Sequence, residues 1–213
     1  MPIWSQWEPS FPPTQGDKVL REISLSAALL CGLLTSGNAM DYRLVPMGAG
    51  DVVILMSGSI REGDLSKLHA FIRNETKNVH GLLGFALNSP GGDLLEAENI
   101  SQFIRKVGAL TIVGDGAVCA SACFLLFAAG KGKIVHPRAK IAVHSASMGN
   151  LENPTALAAT TAMARDAAAL GVPAGILGKM VMTRAAGVDF LSREDLTSMG
   201  VEFTGDEPDN TFK

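Results

Sequence analysis

The sequence contains little charge and no concentrated patch of it. Charged residues make up 18% of the 213 residues, and the formal net charge is -3. No cluster of lysines and arginines stands out along the chain. Because nucleic-acid-binding proteins generally present a basic surface, this distribution argues against that class, and it indicates no other kind of partner.

Cysteine is also scarce, with three residues in the chain. Cys119 and Cys123 flank Ser121 in the segment Cys-Ala-Ser-Ala-Cys. Without a second pair of ligands these two cysteines do not predict a metal site. In an oxidising compartment they could form a disulfide, although a separation of four residues strains that bond if both lie in one helix. Two small buried hydrophobic residues are the alternative, and the sequence leaves it open.

The apolar stretch near the amino terminus, residues 23–34, is too short to span a bilayer comfortably. It follows Lys18 and Arg21 and precedes small and polar residues that end at Ala39. This order is typical of a secretory signal peptide. We therefore expect an N-terminal extension over 1–39 that contains a signal peptide, and a periplasmic or secreted protein. The alternative is a core helix or a membrane anchor at 23–34, in a cytoplasmic or membrane-anchored protein.

The remaining residues, 40–213, predict a single α/β domain. The composition is 47% hydrophobic, which suffices for a sizeable core. Short apolar runs rich in β-branched residues alternate with segments of helical periodicity, and this order is typical of a mainly parallel sheet flanked by helices. The predicted strands are 51–56, 82–87, 110–113, 133–135 and 140–143. The predicted helices begin at Asp64, 94, 120, 154, Pro173 and Ser192, and the third of them runs to 129.

Two unusual segments follow predicted strands closely, as a site in an α/β protein requires. The first is Asn-Ser-Pro-Gly-Gly at 88–92, whose glycines let the backbone turn sharply and expose N–H groups that can stabilise an oxyanion. An ordinary strand-to-helix turn would have the same composition.

The second segment places Ser121 at the start of an apolar helix. There the helix dipole and the free N–H groups, including that of Ala122, favour negative charge on a reacting group. The alternative is a helix cap or a small residue chosen for packing. His144 follows a predicted strand and could serve as general base if Ser121 lies within hydrogen-bonding reach.

Together these segments resemble the Clp protease proteolytic subunit superfamily, of the Clp/crotonase fold, in order and in spacing. The resemblance covers roughly residues 51–201, and the Cys-flanked serine and signal-like start resemble the uncharacterised periplasmic branch. The matching blocks are Asn-Ser-Pro-Gly-Gly at 88–92, Ala-Ser-Ala at 120–122 before an apolar helix, Ile-Ala-Val-His at 141–144 and Phe-Leu-Ser at 190–192.

The resemblance implies repeated β-β-α units and a serine endopeptidase. It places Ser121 as nucleophile, His144 as base, and the N–H groups of Gly92 and Ala122 in the oxyanion hole. It implies peptide or unfolded-protein substrates and a homo-oligomer, with no cofactor, metal or nucleic acid. In the periplasm we expect no ATPase partner.

The third member of the catalytic triad departs from the family's pattern. Where the family has an aspartate, two residues before the Phe-Leu-Ser block, this chain has Val188, and the nearest carboxylate is Asp189. A shift of one residue on an extended segment turns the side chain to the other face. Asp189 is therefore a weak candidate to orient His144. This departure leaves a catalytically weak or inactive Clp-like binding or scaffold protein as an alternative. A crotonase-like acyl-thioester enzyme is a further alternative, because such enzymes also use backbone N–H groups as an oxyanion hole.

Overall fold

A computed structural model describes residues 39–48, 50–147 and 153–204. Apart from Ala39, the predicted extension over 1–39 lies outside these residues, and the signal peptide stays a prediction. Among the helices of the described segments, none combines the length and apolar character needed to cross a bilayer.

Most of the strands form one mainly parallel sheet. They are β1 (Asp41–Gly48), β2 (Asp51–Ser57), β3 (Gly81–Asn88), β4 (Leu110–Val113), β6 (Lys133–Val135) and β9 (Val201–Phe203). The order across the sheet is β1-β2-β3-β4-β6-β9. Only the β1–β2 pair is antiparallel, and the other pairs are parallel. The predicted fold class is confirmed, while β1 and β9 were not predicted.

A smaller sheet of three strands lies at the end of β3. Its strands are β5 (Val118–Ala120), β7 (Lys140–Val143) and β8 (Asp189–Phe190). β5 pairs parallel with β7, and β8 pairs antiparallel with β7. A single bridge between Ser89 and Cys119 joins the end of β3 to β5. The loop after β3 and the segment after β5 are thereby brought together.

Helices connect and cover these strands. They are α1 (Asp64–Glu75), α2 (Leu94–Val107), α3 (Cys123–Ala128), α4 (Pro154–Ala169), α5 (Ala174–Met182) and α6 (Arg193–Ser198). The prediction of a helix from 120 to 129 was wrong at its start, because β5 pairs with β7 as far as Ala120 and α3 begins only at Cys123. A short apolar run suits a buried strand or a buried helix equally, so periodicity alone could not decide between them.

The six residues of α3 lie at the centre of the core, and each of them is buried. The Thr111 hydroxyl of β4 donates a hydrogen bond of 2.9 Å to the Phe127 carbonyl near the end of this helix. Gly130 passes so close to the same hydroxyl that a side chain there would collide with it. Both contacts fix α3 in place, and with it the turn that precedes it.

Candidate active site

Ser121 occupies a sharp turn between β5 and α3. Its φ is 56°, and no other non-glycine residue in the described part of the chain has a positive φ. The Ser121 N–H donates to the Ala142 carbonyl at 3.1 Å, and the Ser121 carbonyl accepts from the Phe124 N–H at 2.9 Å. A left-handed conformation costs energy for a residue with a side chain, and it persists where the surrounding structure enforces it, often at active sites.

The loop Pro90-Gly91-Gly92 packs directly against this turn. A side chain on Gly91 would lie 2.7 Å from the Ala120 carbonyl oxygen and 2.8 Å from the Cβ of Ser121. Gly91 also has a φ of 101°, which favours glycine. Only glycine therefore lets this loop approach Ser121 so closely.

Backbone hydrogen bonds hold the loop in position. The Ile60 N–H donates to the Gly91 carbonyl at 2.9 Å, and the Asp93 N–H donates to the Ile60 carbonyl at 2.9 Å. The Asp93 side chain then caps α2 by accepting from the Glu96 N–H at 2.8 Å. On the other side, the Ala120 N–H donates to the Ser89 carbonyl at 3.0 Å. The loop is thus bound both to the chain before α1 and to β5.

The N–H groups of Gly92 and Ala122 are not used by this network. Neither donates a hydrogen bond to an acceptor within the described residues. Ala122 is buried, whereas Gly92 is exposed. At a reaction centre, N–H groups left without an acceptor can stabilise a developing oxyanion. They belong to the two residues that the resemblance assigns to the oxyanion hole.

His144 follows β7, the strand that pairs with β5. Its Nδ1 lies 2.7 Å from the carbonyl oxygen of Ser145. If Nδ1 carries the proton and donates it to that carbonyl, Nε2 is left free to accept a proton. In the described part of the chain, no hydrogen bond joins the Ser121 hydroxyl to His144. Catalytic contacts are often long in an empty site and tighten when substrate binds.

The peptide that carries this carbonyl is itself held on both sides. The Ser145 N–H donates to the Thr183 carbonyl at 2.8 Å. The next N–H, of Ala146, donates to the Thr160 hydroxyl at 2.9 Å, and that buried hydroxyl donates to the Ala156 carbonyl at 2.9 Å. Sequence reasoning missed Thr160, since one threonine in an alanine-rich helix gives no signal.

The structure does not bring Asp189 to His144. In the β7–β8 register Asp189 lies opposite Val143. Continued one residue beyond both strands, this register would place Val188 opposite His144. No hydrogen bond or ion pair joins Asp189 to His144 within the described residues. Asp189 instead lies near Lys179. The hydrogen bond from Lys179 to Asp195 is the main cause that raises the pKa of Lys179, and the negative charge of Asp189 raises it further.

Cys119 and Cys123 are joined by a disulfide across the Ser121 turn, with 5.3 Å between their Cα atoms. Cys119 lies on β5, while Cys123 is the first residue of α3. The strain expected for two cysteines in one helix therefore does not arise, and the Cα separation is ordinary for a disulfide. Both side chains are fully buried.

A groove of about 550 Å³ begins beside His144. The carboxyl-terminal end of α5, the start of α4 and the segment after His144 form its walls. The exposed apolar side chains Leu157 and Met182 lie in it, and Arg184 is its charged residue. The residues that line it are Ser145, Ala146, Asn153, Pro154, Ala156, Leu157, Thr160, Val181, Met182 and Arg184.

Metal ligands do not gather at this site. Within the described residues, no three histidine, cysteine, aspartate or glutamate side chains lie together in an arrangement that could hold an ion.

Comparison with protein families gives a match for more than half of the chain. Residues 50–166 match the family model described as Clp protease. A search of curated proteins returned no match.

Solved structures show the same fold at low sequence identity. ClpP1 from Listeria monocytogenes has a TM-score of 0.55 and 16% identity, over 71% of this chain and 91% of that one. An asparagine-to-aspartate mutant of that ClpP1 has a TM-score of 0.54 and 16% identity, over 72% and 92%. A serine-to-alanine mutant of the 1510-N membrane-bound stomatin-specific protease has a TM-score of 0.51 and 19% identity, over 70% and 76%.

Proposed function

Because the chain belongs to the Clp protease family, we propose that it is a serine peptidase with Ser121 as nucleophile and His144 as general base. One observation carries the proposal: Ser121 is held at φ 56° beside the glycine loop, with the unused N–H groups of Gly92 and Ala122. A turn of this kind exposes a hydroxyl and supplies electrophilic N–H groups at one place.

The reaction would follow the course of acyl transfer. Ser121 Oγ attacks the carbonyl carbon of a peptide bond while His144 Nε2 takes its proton. The N–H groups of Gly92 and Ala122 hold the negative oxygen of the tetrahedral intermediate. His144 then returns the proton to the leaving amine, and a water molecule releases the acyl group by the same steps in reverse.

The Ser145 carbonyl takes the position behind His144 that an aspartate has in a complete triad. It can hold the imidazole in the tautomer that leaves Nε2 free, since its distance from Nδ1 is 2.7 Å. A neutral carbonyl stabilises the imidazolium less than a carboxylate does. We therefore expect slower turnover than in an enzyme with a full triad.

We further propose that the substrates are short peptides or loosely folded chains, processed outside the cytoplasm. The buried Cys119–Cys123 disulfide supports an oxidising compartment. The signal-like pattern over 1–39 agrees with this location. No ATP-driven unfoldase would be available there, so the chain would receive substrates that need no unfolding. The groove beside His144 offers apolar surface for a substrate side chain.

Labelling with a fluorophosphonate probe tests the catalytic assignment. The wild-type protein should become labelled on Ser121, and Ser121→Ala should abolish the label. His144→Ala should slow labelling strongly, since the hydroxyl loses its base. Ser147→Ala removes an exposed hydroxyl in the same segment and serves as the control that should label like the wild type. If the wild type is not labelled while a control hydrolase reacts, the proposal is wrong.

A binding or scaffold protein with little turnover is the second candidate. It is favoured by Val188 at the sequence position where the family has its aspartate, and by the lack of a Ser121–His144 hydrogen bond within the described residues. On this reading Ser121→Ala should bind a peptide as tightly as the wild type, and the wild type should neither hydrolyse that peptide nor react with the probe. Turnover by the wild type that depends on Ser121 would rule it out.

A further inference from the structure

The disulfide joins Cys119, two residues before Ser121, to Cys123, two residues after it. On one side it is attached to β5, which pairs with β7 through Cys119 and Ile141. On the other side it is attached to the first residue of α3, a helix buried throughout. The disulfide therefore connects β5 and α3, the two elements on either side of the turn that carries Ser121.

The glycine loop and the buried helix α3 pack around the turn, but few hydrogen bonds act on the backbone of Ser121 itself. Within the described residues, backbone hydrogen bonds tie Ser121 to Ala142 and Phe124, while the N–H of Ala122 is unused and the Ser121 side chain makes no hydrogen bond. Five residues in an extended conformation would span about 13 Å between their outer Cα atoms. The disulfide keeps the Cα atoms of Cys119 and Cys123 at 5.3 Å. It thereby excludes the extended backbones that would relieve the strained φ of Ser121.

We propose that the Cys119–Cys123 disulfide is a positioning cross-link for the nucleophile. By holding Ser121 at positive φ, it places the hydroxyl towards His144 and aligns the Ala122 N–H with the oxyanion. This inference rests on the proposed function and adds that efficient catalysis requires the oxidised form of the chain.

The cross-link acts locally, and it is made as the chain folds. A disulfide that closes so short a loop adds less to global stability than one that closes a long loop, because it restricts the unfolded chain less. Both sulfurs are fully buried, so reagents in solution do not reach them in the folded protein. Its formation takes two electrons and two protons from the thiols, which a disulfide-exchange oxidant accepts while it is reduced to a dithiol.

The test compares Cys119→Ala, Cys123→Ala and the double variant with the wild type. We expect kcat for a peptide ester, and the maximal labelling rate with fluorophosphonate, to fall about 10- to 100-fold in the double variant. KM should stay within about twofold, because the groove is unchanged. In each single variant kcat should fall as much as in the double variant, since either substitution removes the same disulfide.

Val201→Ala is the matched control. It also removes buried apolar atoms, but at β9 on the edge of the main sheet, so stability should fall while kcat at low temperature stays unchanged. Hydrogen exchange gives a readout that does not depend on activity. The hydrogen-bonded amides of Ser121 and Phe124 should exchange faster in the cysteine variants, whereas those of β3 and α2 should not.

Three results would overturn the inference. One is a double variant with wild-type kcat and wild-type exchange at the Ser121 and Phe124 amides. A second is a fall in kcat in the double variant that equals the product of the falls in the two single variants. Two independent packing effects would then explain the loss of activity. The third is a wild type in which the Ser121 and Phe124 amides already exchange as fast as in the variants. A wild type that is never labelled contradicts the proposed peptidase instead, and the exchange data still decide whether the cross-link holds the turn.

Discussion

Ser121 combines two demands at the scale of a single residue, because it must carry a hydroxyl and also adopt a left-handed backbone. Its φ of 56° lies in the region that glycine enters at least cost. Strain of this kind at a nucleophile trades some stability of the fold for exposure of the side chain.

Replacing the serine should reveal this strain. Ser121→Gly should be more stable than Ser121→Ala by about 1 kcal/mol, because glycine relieves the unfavourable φ and alanine does not. Both variants should be inert to fluorophosphonate. Urea unfolding of the two variants measures the difference, and equal stabilities would show that the turn carries no strain.

Val188 is the residue whose replacement should raise activity. Continued one residue beyond the strands, the β7–β8 register would place it opposite His144. A carboxylate there could then approach Nδ1 and stabilise the imidazolium better than the Ser145 carbonyl does. We expect Val188→Asp to raise kcat by about 10- to 1,000-fold. Val188→Asn, of similar shape but neutral, is the matched control and should raise it far less.

The same assay bears on Asp189. Asp189→Ala should leave kcat near the wild-type value, since no contact joins Asp189 to His144 within the described residues. If Asp189→Ala abolishes turnover and Val188→Asp changes nothing, Asp189 orients the base after all, and the role given to the Ser145 carbonyl is wrong.

At the scale of elements, α5 and α6 are joined by one carboxylate near the edge of the small sheet. Asp195 accepts from Lys179 Nζ at 2.6 Å and from the Ser192 N–H at 2.8 Å, and it completes the capping box of α6. Burial alone would raise the pKa of Asp195, but the hydrogen bonds from Lys179 and Ser192 outweigh it and lower the pKa below its ordinary value of 3.8.

This carboxylate should give the fold an acid-dependent stability. Because its folded-state pKa is lowered, the stabilisation is present above pH 3.8 and is lost as the pH falls through the folded-state value. Asp195→Asn should cost about 1 kcal/mol at pH 7 and less at pH 2.5, by urea unfolding at both pH values. Asp189→Asn is the control for a nearby carboxylate outside the capping box. An equal cost at both pH values would contradict the prediction.

At the scale of the whole molecule, the small sheet leaves apolar surface exposed beside the site. Phe190 lies on the edge strand β8 and is 53% exposed. An edge strand with exposed apolar side chains is a common place for contact between copies of a protein. The prediction of a homo-oligomer stays a prediction, and this edge is where we expect a second copy to bind.

Phe190→Asp should therefore lower the assembled mass measured by size-exclusion chromatography with light scattering. A charge at the centre of an apolar contact would be desolvated without a partner, which weakens association. Leu95→Asp places the same charge at an exposed apolar position on α2 and should leave the mass unchanged. A wild type that is monomeric at micromolar concentration would contradict the expected assembly.

The sequence by itself determined the fold class and the order of its chemical groups. Helix α2 and strands β4, β6 and β7 begin and end as predicted, because their apolar spacing and their Gly and Pro boundaries are local signals. The sequence also identified the glycine loop, Ser121 and His144, since each belongs to a short motif of consecutive residues.

Only the tertiary structure decided how these groups meet. It ended β5 at Ala120 and placed Ser121 at positive φ, because pairing with β7 competes with helix formation over the same apolar residues. It placed Cys119 on a strand and Cys123 on a helix. A disulfide between them therefore avoids the strain expected if both lay in one helix. It also fixed the Ser145 carbonyl against His144 Nδ1, since Thr183 and Thr160 accept hydrogen bonds from the N–H groups of Ser145 and Ala146. These outcomes depend on contacts between residues far apart in the chain, and no local pattern in the sequence encodes them.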